Sequence, residues 1–424
     1  MRNLKKVFST PDDKEYFFGY YDKSPLNYKN NKILAHAVGF NDRIPDKNDF
    51  CDLGFFDLSQ PDTFNKLSTT STFNWQQGSM LQWLGPDHTQ KIIFNDVDSY
   101  GKKFISKILD IDTSEEKILP FPIYSVDLLG KNAFSIDFER HYWFRRGYAY
   151  AGIKNKKKSE YFDPHDGILI LNLESGSSKK IISLAELIEL NRVSSMHKAA
   201  HYIEHVMPNK SGTKIAFLHR WKFETGIHAR LIVSDIDGAD MKIINDSGRI
   251  SHFNWRNNSE IIAWGASVNP FNSMRKFSSL NKFIIKPLLP IYKKVIGRNS
   301  LQGNSKISSL ISGDSYLRID INSGKNSSFG KDILIQDGHP SICPSNANLI
   351  LSDTYPNDNA ICKFFIYDIK DNYIITEEEL NSINSFDNTP LRCDLHPKWS
   401  YDGSFVSVDT MNDGMRGIYV YEII

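Results

Sequence analysis

A short apolar strand that ends in an acidic or amide residue, and is followed by a turn, recurs along this chain of 424 residues. Its seven copies end at Asp57, Asp110, Asn172, Asp235, Asp320, Asp368 and Glu422. The intervals between successive copies are 53, 62, 63, 85, 48 and 54 residues. A strand-rich unit that repeats at roughly 50–60 residues is typical of a β-propeller, in which each copy forms one blade. The sequence therefore predicts an all-β, seven-bladed β-propeller that occupies 1–424 as a single domain.

A second element runs in phase with the first: a polar turn followed by a strand of alternating apolar residues. Its clearest copy spans 392–409. In the fourth to seventh copies a histidine stands just before the turn, at His205, His252, His339 and His396. Because the first strand of each propeller blade lines the central channel, we expect these side chains near one mouth of that channel. The chain has only 12 histidines, so four in one phase of successive repeats indicate a functional site.

The composition excludes several other classes of protein. The net charge is +1, so no overall field favours nucleic acid. The 12% aromatic content favours strands, and the four cysteines are scattered with no CxxC pair that would suggest a zinc finger. The first residues lack an apolar leader, and no apolar run is long enough to span a bilayer. The expected location is the cytoplasm.

The longest interval carries an insertion near 268–312. Its central part, 278–298, is basic, apolar and interrupted by proline. Two interpretations stay open: a surface loop, or an interfacial anchor that brings the protein to the anionic face of the inner membrane. Separately, the period of apolar residues at 182–190 predicts a short helix just before the fourth blade.

Further polar residues are expected at the level of the histidines. They are Tyr21, Gln77, Arg140, Arg145, His219 and Arg220. Asp394 lies two residues before His396, so both side chains would share one face of a strand. With His339 they would offer oxygen and nitrogen ligands to a divalent cation such as Mn, Ca or Zn. The alternatives are histidines held by structural hydrogen bonds, a turn-capping Asp394, and arginines on a solvated rim.

This residue set suits β-elimination at a 4-linked uronate better than hydrolysis. Elimination needs a positive charge on the uronate carboxylate, a base for the C5 proton and an acid for the leaving oxygen. Arginine or a metal, histidine, and tyrosine or a second histidine would supply these groups. Glycoside hydrolysis needs two carboxylates that face the bond, and the predicted mouth offers only Asp22 and Asp394, on distant blades.

These motifs resemble the seven-bladed propeller polysaccharide lyases, namely the oligogalacturonate lyases and the propeller ulvan lyases. The resemblance rests on Phe18–Pro25, His205 with Phe217–Trp221, Ile250–Arg256, Asp337–Ser341 with Ser352–Pro356, and Arg392–Pro397. It implies a metal side of the site at His339 and His396, a base at His252 or His205, a carboxylate partner at Arg220 and an acid at Tyr21. Arg140, Arg145, His219 and Gln77 would contact substrate. The chain departs from the oligogalacturonate pattern at Asp394, where a second histidine is expected.

The resemblance implies a lyase-like enzyme that acts on an acidic polysaccharide or oligosaccharide. The lack of a leader favours a role in cell-surface polysaccharide metabolism at the inner membrane. The alternative is a non-catalytic propeller that binds a glycan or a protein through the same mouth.

Overall fold

The structure is a computed structural model that describes residues 3–153, 163–223, 226–267, 276–277, 286–287, 313–383, 386 and 389–424. Strands far outnumber helices among these residues, and they form seven antiparallel sheets of four strands each. The predicted all-β class and seven-bladed β-propeller fold are thereby confirmed.

The first three blades follow one another along the chain after an N-terminal strand, β1 (Leu4–Ser9). The first blade contains β2 (Glu15–Phe17), β3 (Lys32–Val38), β4 (Cys51–Asp57) and β5 (Gln60–Thr70). The second contains β6 (Gln82–Trp83), β7 (Lys91–Val97), β8 (Phe104–Asp110) and β9 (Glu116–Leu119). The third contains β10 (Ser125–Val126), β11 (Asn132–Ser135), β12 (Gly167–Asn172) and β13 (Ser178–Ser183), with helix α1 (Phe138–Phe144) between β11 and β12.

Helix α2 (Leu184–Glu189) leads into the fourth blade and confirms the helix predicted at 182–190. Ser183 caps it, and the Glu186 side chain returns the capping contact to the Ser183 backbone. The fourth blade contains β14 (Ala200–Pro208), β15 (Lys214–Phe223), β16 (Gly226–Asp235) and β17 (Lys242–Gly248). The fifth contains β18 (Ile250–Trp255), β19 (Glu260–Ala266), β20 (Asp314–Asp320) and β21 (Asn326–Phe329).

The last two blades complete the fold. The sixth contains β22 (Ser341–Ile342), β23 (Leu349–Asp353), β24 (Ile361–Asp368) and β25 (Tyr373–Asn381). The seventh contains β26 (Lys398–Trp399), β27 (Phe405–Thr410) and β28 (Gly417–Ile423). Its fourth strand is β1, which pairs antiparallel with β28 so that Leu4 lies opposite Ile423. The last blade is therefore built from both ends of the chain, which the repeat pattern did not predict.

The recurring acidic or amide residue ends the third strand of each blade, as predicted. Asp57, Asp110, Asn172, Asp235, Asp320 and Asp368 are the last residues of their strands, and Glu422 is the penultimate residue of β28. The side chains of several accept hydrogen bonds from the backbone of the following turn. Asp320, for example, accepts from the backbone nitrogens of Asn322 and Ser323. A short polar side chain is favoured here because it stabilises the turn between the third and fourth strands.

Three tryptophans share one packing role. Trp83, Trp255 and Trp399 each end the first strand of a blade. Their indole nitrogens donate to the backbone oxygens of Pro25, Met207 and Ser341 in the preceding blade, at 2.8, 3.0 and 3.2 Å. All three side chains are buried. Each tryptophan thus combines a large apolar surface with a satisfied hydrogen bond, which joins neighbouring blades.

The chain divides into two compact units. The first comprises Met1–Lys156, Leu171–Ser177 and Ser341–Ile424, and the second comprises Lys157–Ile170 and Ser178–Pro340. The first unit contains the sheets of the first, second, sixth and seventh blades. The second contains those of the fourth and fifth, and the strands of the third blade are divided between the two ranges.

The predicted insertion near 268–312 falls between β19 and β20. Apart from residues 276–277 and 286–287 it lies outside the described residues, as does most of the predicted anchor 278–298. Membrane contact and a cytoplasmic location therefore stay predictions. None of the helices in the described ranges is both long and apolar enough to cross a bilayer.

Candidate active site

The four in-phase histidines occupy equivalent positions relative to the first strands of four blades: His205 and His252 lie within such strands, and His339 and His396 just before them. His205, His252, His339 and His396 each lie three residues before the end of such a strand. At His205 and His396 the backbone is left-handed, with φ of 55° and 41°. Met80 holds the same position in the second blade, with φ of 58°. Because methionine adopts the left-handed backbone here as well, that conformation does not depend on a histidine at this position.

Three of these histidines form a row within the second unit. The ring centroids of His205 and His252 are 5.9 Å apart, and the rings meet nearly edge to face at 81°. The rings of His252 and His339 are 4.3 Å apart. All three residues are buried. The row brings together three predicted site residues that are far apart in sequence.

Two carboxylates flank this row, and neither was predicted from the sequence. Asp337 Oδ1 lies 3.1 Å from His252 Nδ1. At the other end, Glu204 Oε1 lies 3.8 Å from His205 Nε2, and the Glu204 side chain is only 1% exposed. The expectation that Asp22 and Asp394 are the only carboxylates near the site was therefore wrong. Asp22 is instead paired with Lys23, at 2.6 Å.

Local irregularities in the first strands place neighbouring side chains on the same side. The pairing of β14 with β15 shifts register between Glu204 and Met207, next to the left-handed His205. The pairing of β18 with β19 shifts between Ile250 and Phe253. Consecutive residues of a regular strand point to opposite faces, whereas a bulge re-aims one of them. The bulges explain how Glu204 can approach His205 and how Ser251 and His252 can both reach Asp337.

Arg220, the predicted carboxylate partner, is held by Glu204. Arg220 Nε lies 2.7 Å from Glu204 Oε1, and its side chain is 12% exposed. Arg220 Nη2 also donates to the backbone oxygen of Ile250, at 3.5 Å. The guanidinium is therefore fixed beside the first strands of the fourth and fifth blades. Its charge is partly balanced by Glu204 before any ligand arrives.

His219 is adjacent to Arg220 on β15 but is fully buried in a different network. Arg230 Nε donates to His219 Nδ1 at 3.1 Å, so His219 Nε2 carries the proton and donates to His201 Nδ1 at 3.0 Å. His201 Nε2 then donates to the backbone oxygen of Met196, at 3.0 Å. Burial and the Arg230 charge hold the pKa of His219 well below its usual range. These partners give His219 structural contacts, and a role in binding substrate stays a prediction.

The first unit holds the remaining predicted ligands, Asp394 and His396. Asp394 Oδ2 lies 4.0 Å from His396 Nε2. Arg392 engages both carboxylate oxygens of Asp394, with Nε at 2.5 Å and Nη2 at 2.8 Å. Burial would lower the pKa of Arg392, but the Asp394 charge outweighs it and holds the pKa well above its usual range. The sequence did not indicate this bidentate pair.

Two tyrosine rings lie next to the His396 ring in the same unit. The ring of Tyr20 meets the His396 ring edge to face, with centroids 4.9 Å apart. The ring of Tyr21, the predicted acid, lies 6.5 Å from His396 and is buried. Tyr20 also contacts the ring of Tyr148, over which the Arg145 guanidinium stacks at 4.1 Å. Arg145, Tyr21 and His396 therefore belong to one cluster within the first unit.

Gln77 and Arg140, two predicted substrate contacts, are buried. Gln77 Nε2 donates to the Tyr124 hydroxyl at 3.1 Å. Arg140 lies on α1, with its guanidinium over the rings of Trp143 and Phe144. These partners give both residues structural contacts, and a role in binding substrate stays a prediction.

The backbone that presents His396 is fixed by a polar residue of the preceding blade. Asp353, the last residue of β23, accepts a hydrogen bond from the His396 backbone nitrogen at 3.1 Å. Asn95 on β7 uses its side-chain oxygen in the same way, accepting from the Ile123 backbone nitrogen at 2.7 Å. A polar residue near the end of a second strand thus anchors the entry to the next blade. Asp353 belongs to the sequence motif Ser352–Pro356, but its anchoring role was not predicted.

The predicted cation site needs ligands from both ranges of the chain. His339 belongs to the second unit, whereas Asp394 and His396 belong to the first. The three-ligand site therefore stays a prediction. Within the first unit, Asp394 and His396 offer an oxygen and a nitrogen donor close together, although Arg392 already balances the carboxylate charge.

Comparison with known proteins supports the fold more than the family. No protein-family model and no curated protein sequence matches the chain. A solved oligogalacturonate lyase in complex with manganese is similar in structure, with a TM-score of 0.60, 12% identity, and coverage of 100% of this chain and 96% of that one. The oligogalacturonate lyase of Vibrio parahaemolyticus has a TM-score of 0.56 and 10% identity, and the match covers 100% of this chain and 96% of that one. A prolyl endopeptidase has a TM-score of 0.52 and 8% identity, and the match covers 99% of this chain and 50% of that one. At these identities the likeness establishes the propeller fold alone.

Proposed function

We propose that the protein is a polysaccharide lyase-like enzyme that cleaves a uronate-containing glycan by β-elimination. The observation that carries the proposal is the row of His205, His252 and His339, with Arg220 held beside it. The structural likeness to oligogalacturonate lyase is consistent with the proposal. Histidines are suited to moving protons near neutral pH, and arginine is suited to neutralising a carboxylate.

In the proposed reaction His252 removes the C5 proton of the uronate. The electron pair of that C–H bond forms the C4–C5 double bond, and the bond from C4 to the glycosidic oxygen breaks. His205 in its protonated form gives a proton to the departing oxygen, which becomes a new hydroxyl group. Arg220 stabilises the negative charge that develops on the uronate carboxylate. One glycosidic bond is lost, and one double bond and one hydroxyl group are formed.

A divalent cation would add to this charge stabilisation if bound. The solved oligogalacturonate lyase is in complex with manganese, and Asp394 and His396 of the first unit are the ligands we propose here. The carboxylate of Asp394 is a donor that suits manganese, and the imidazole of His396 is a common metal ligand. Bound there, the ion would withdraw electron density from the uronate carboxylate. Tyr21 remains a second candidate for the acid.

The proposal is tested by incubating the protein with a panel of uronate polymers in the presence of manganese. The newly formed C4–C5 double bond absorbs ultraviolet light, so elimination appears as rising absorbance. We expect turnover with at least one polymer, and a loss of about 10²-fold or more in His252→Ala. A matched control is His88→Gln, because His88 contacts the backbone oxygens of Trp83 and Leu128 and is not part of the row.

Two outcomes would count against this function. Binding of a polymer without any rise in absorbance would favour the non-catalytic glycan-binding propeller. Turnover that is unchanged in both His252→Ala and His205→Ala would remove these two residues from the mechanism.

A further inference from the structure

Asp337 makes contacts with two consecutive residues of β18. Ser251 Oγ lies 3.0 Å from both carboxylate oxygens of Asp337, and His252 Nδ1 lies 3.1 Å from Oδ1. The Asp337 side chain is 21% exposed, and that of His252 is 10% exposed. All three residues belong to the second unit. The bulge in β18 allows both Ser251 and His252 to reach the same carboxylate.

We propose that Asp337 is a positioning residue that fixes the tautomer and the orientation of His252. The inference rests on the proposed function, in which His252 is the base, and it assigns the proton of the ring to one nitrogen. An ionised carboxylate can only accept hydrogen bonds. The neutral His252 ring must therefore carry its proton on Nδ1, which donates to Asp337. Nε2 is left with the lone pair that would remove a proton from substrate.

The contacts of His252 described above differ in kind from its contact with Asp337. His339 and His205 meet it through ring contacts, at 4.3 and 5.9 Å between centroids. Glu204 lies beyond His205 and is engaged by Arg220 at 2.7 Å. Of the two carboxylates that flank the row, Asp337 is the one within hydrogen-bonding distance of a His252 nitrogen.

Ser251 holds the carboxylate in place for this contact. A serine hydroxyl has one hydrogen to donate, and its oxygen is equally close to both Asp337 oxygens. The hydroxyl therefore restrains rotation of the carboxylate while Oδ1 accepts from His252. Enzymes often orient a catalytic base by a hydrogen bond to another side chain. Here His252 is the base, Asp337 orients it, and Ser251 holds Asp337.

The proposal is tested by NMR on the full-length protein labelled with ¹⁵N-histidine. Spectra are recorded at about pH 8.5, where a histidine of ordinary pKa is neutral. The two ring nitrogens of a neutral histidine have different shifts, so the tautomer can be identified. The His252 signals are assigned by their loss in His252→Gln.

The chain contains reference rings for both tautomers. His36 Nε2 accepts from the Ser79 backbone nitrogen at 3.0 Å, which leaves the proton on Nδ1. His219 Nδ1 accepts from Arg230, which leaves the proton on Nε2. We expect wild-type His252 to match His36. In Asp337→Asn the amide can donate as well as accept, so we expect the His252 shifts to move toward an average of the two tautomers, with His36 and His219 unchanged.

Ser251→Ala provides a second variant in case Asp337→Asn fails to fold, and we expect a smaller shift in the same direction. A wild-type His252 that matches His219, or a tautomer that is unchanged in the variants, would overturn the proposal. Where a substrate is found, Asp337→Asn should lower kcat by about 10²-fold with little change in KM. A fixed Nδ1–H tautomer without turnover on any uronate would instead contradict the proposed function and leave the positioning role standing.

Discussion

Glu204 and Arg220 form an ion pair, 2.7 Å between Oε1 and Nε, in which the glutamate is almost completely buried. Removing one partner from such a pair leaves an uncompensated charge in a poorly solvated place. The pair therefore links the stability of the fourth blade to the geometry of the candidate site.

We expect Glu204→Gln to lower the free energy of unfolding by about 3 kcal/mol, because Arg220 loses its counter-charge. Urea denaturation of Glu204→Gln, Arg220→Gln and the double variant measures this change. We expect the double variant to lose less stability than the sum of the two single variants, since it leaves no unpaired charge. Strictly additive losses would show that the two side chains do not interact.

The Arg392–Asp394 pair predicts a competition with divalent cations. Arg392 occupies both oxygens of Asp394, so Arg392→Gln should leave a carboxylate that binds a cation more readily. We expect manganese to raise the Tm of Arg392→Gln by several degrees more than that of the wild type. The increase should disappear when Asp394→Asn is added. Equal responses of the wild type and Arg392→Gln would contradict a cation at Asp394.

Burial of His36 predicts a loss of stability in acid. Burial lowers the pKa of His36 to about 3. Hydrogen bonds to the backbone of Phe17 and Phe18 raise this pKa, but their effect is smaller than that of burial. The unfolded chain, with a histidine pKa of about 6.5, binds a proton first as the pH falls. The contribution of neutral His36 to the free energy of unfolding is therefore fully present above pH 6.5. Between pH 6.5 and pH 3 it decreases by about 1.4 kcal/mol per pH unit.

The variant His36→Gln isolates this contribution from the carboxylates, which also titrate in acid. Urea unfolding of both proteins between about pH 7 and 4.5 gives the two slopes. We expect the slope of the variant to be smaller by about 1.4 kcal/mol per pH unit. Identical slopes would mean that His36 is protonated in the folded protein.

The indole hydrogen bonds between blades predict a similar loss of stability at three places. Trp83→Phe, Trp255→Phe and Trp399→Phe each remove the indole hydrogen bond to a backbone oxygen of the preceding blade. We expect each to lower the free energy of unfolding by about 1–3 kcal/mol. Thermal or urea unfolding measures the change, and a loss at only one of the three sites would contradict the shared role.

The sequence was sufficient to predict the propeller because each blade contains the same local elements. The residues that end the third strands, such as Asp57 and Asp320, stabilise turns through contacts a few residues away. Local interactions of this kind can be inferred from residue type and spacing. The shared position of His205 and His252 follows from the same regularity.

Other parts of the site depend on departures from that regularity. Regular alternation gives no reason to place Glu204 beside His205, or Ser251 and His252 on the same carboxylate, since those contacts need bulges. His219 is buried and accepts a hydrogen bond from Arg230, a partner that its place beside Arg220 in the sequence does not reveal. A turn is determined by residues that are close in sequence. The partner of a side chain on another strand is not, so neighbouring residues alone do not predict it.

The pairing of β1 with β28 has a consequence for the order in which the protein forms. β1 precedes β28 by more than 400 residues, so β1 finds its partner only after the chain between them has been synthesised, because Leu4 lies opposite Ile423. Until β1 pairs with β28, the sheet of β26, β27 and β28 lacks its fourth strand and β28 presents an open edge. A contact between such distant residues carries a large loop-closure entropy, so the completed seventh blade is expected among the last parts of the fold to form.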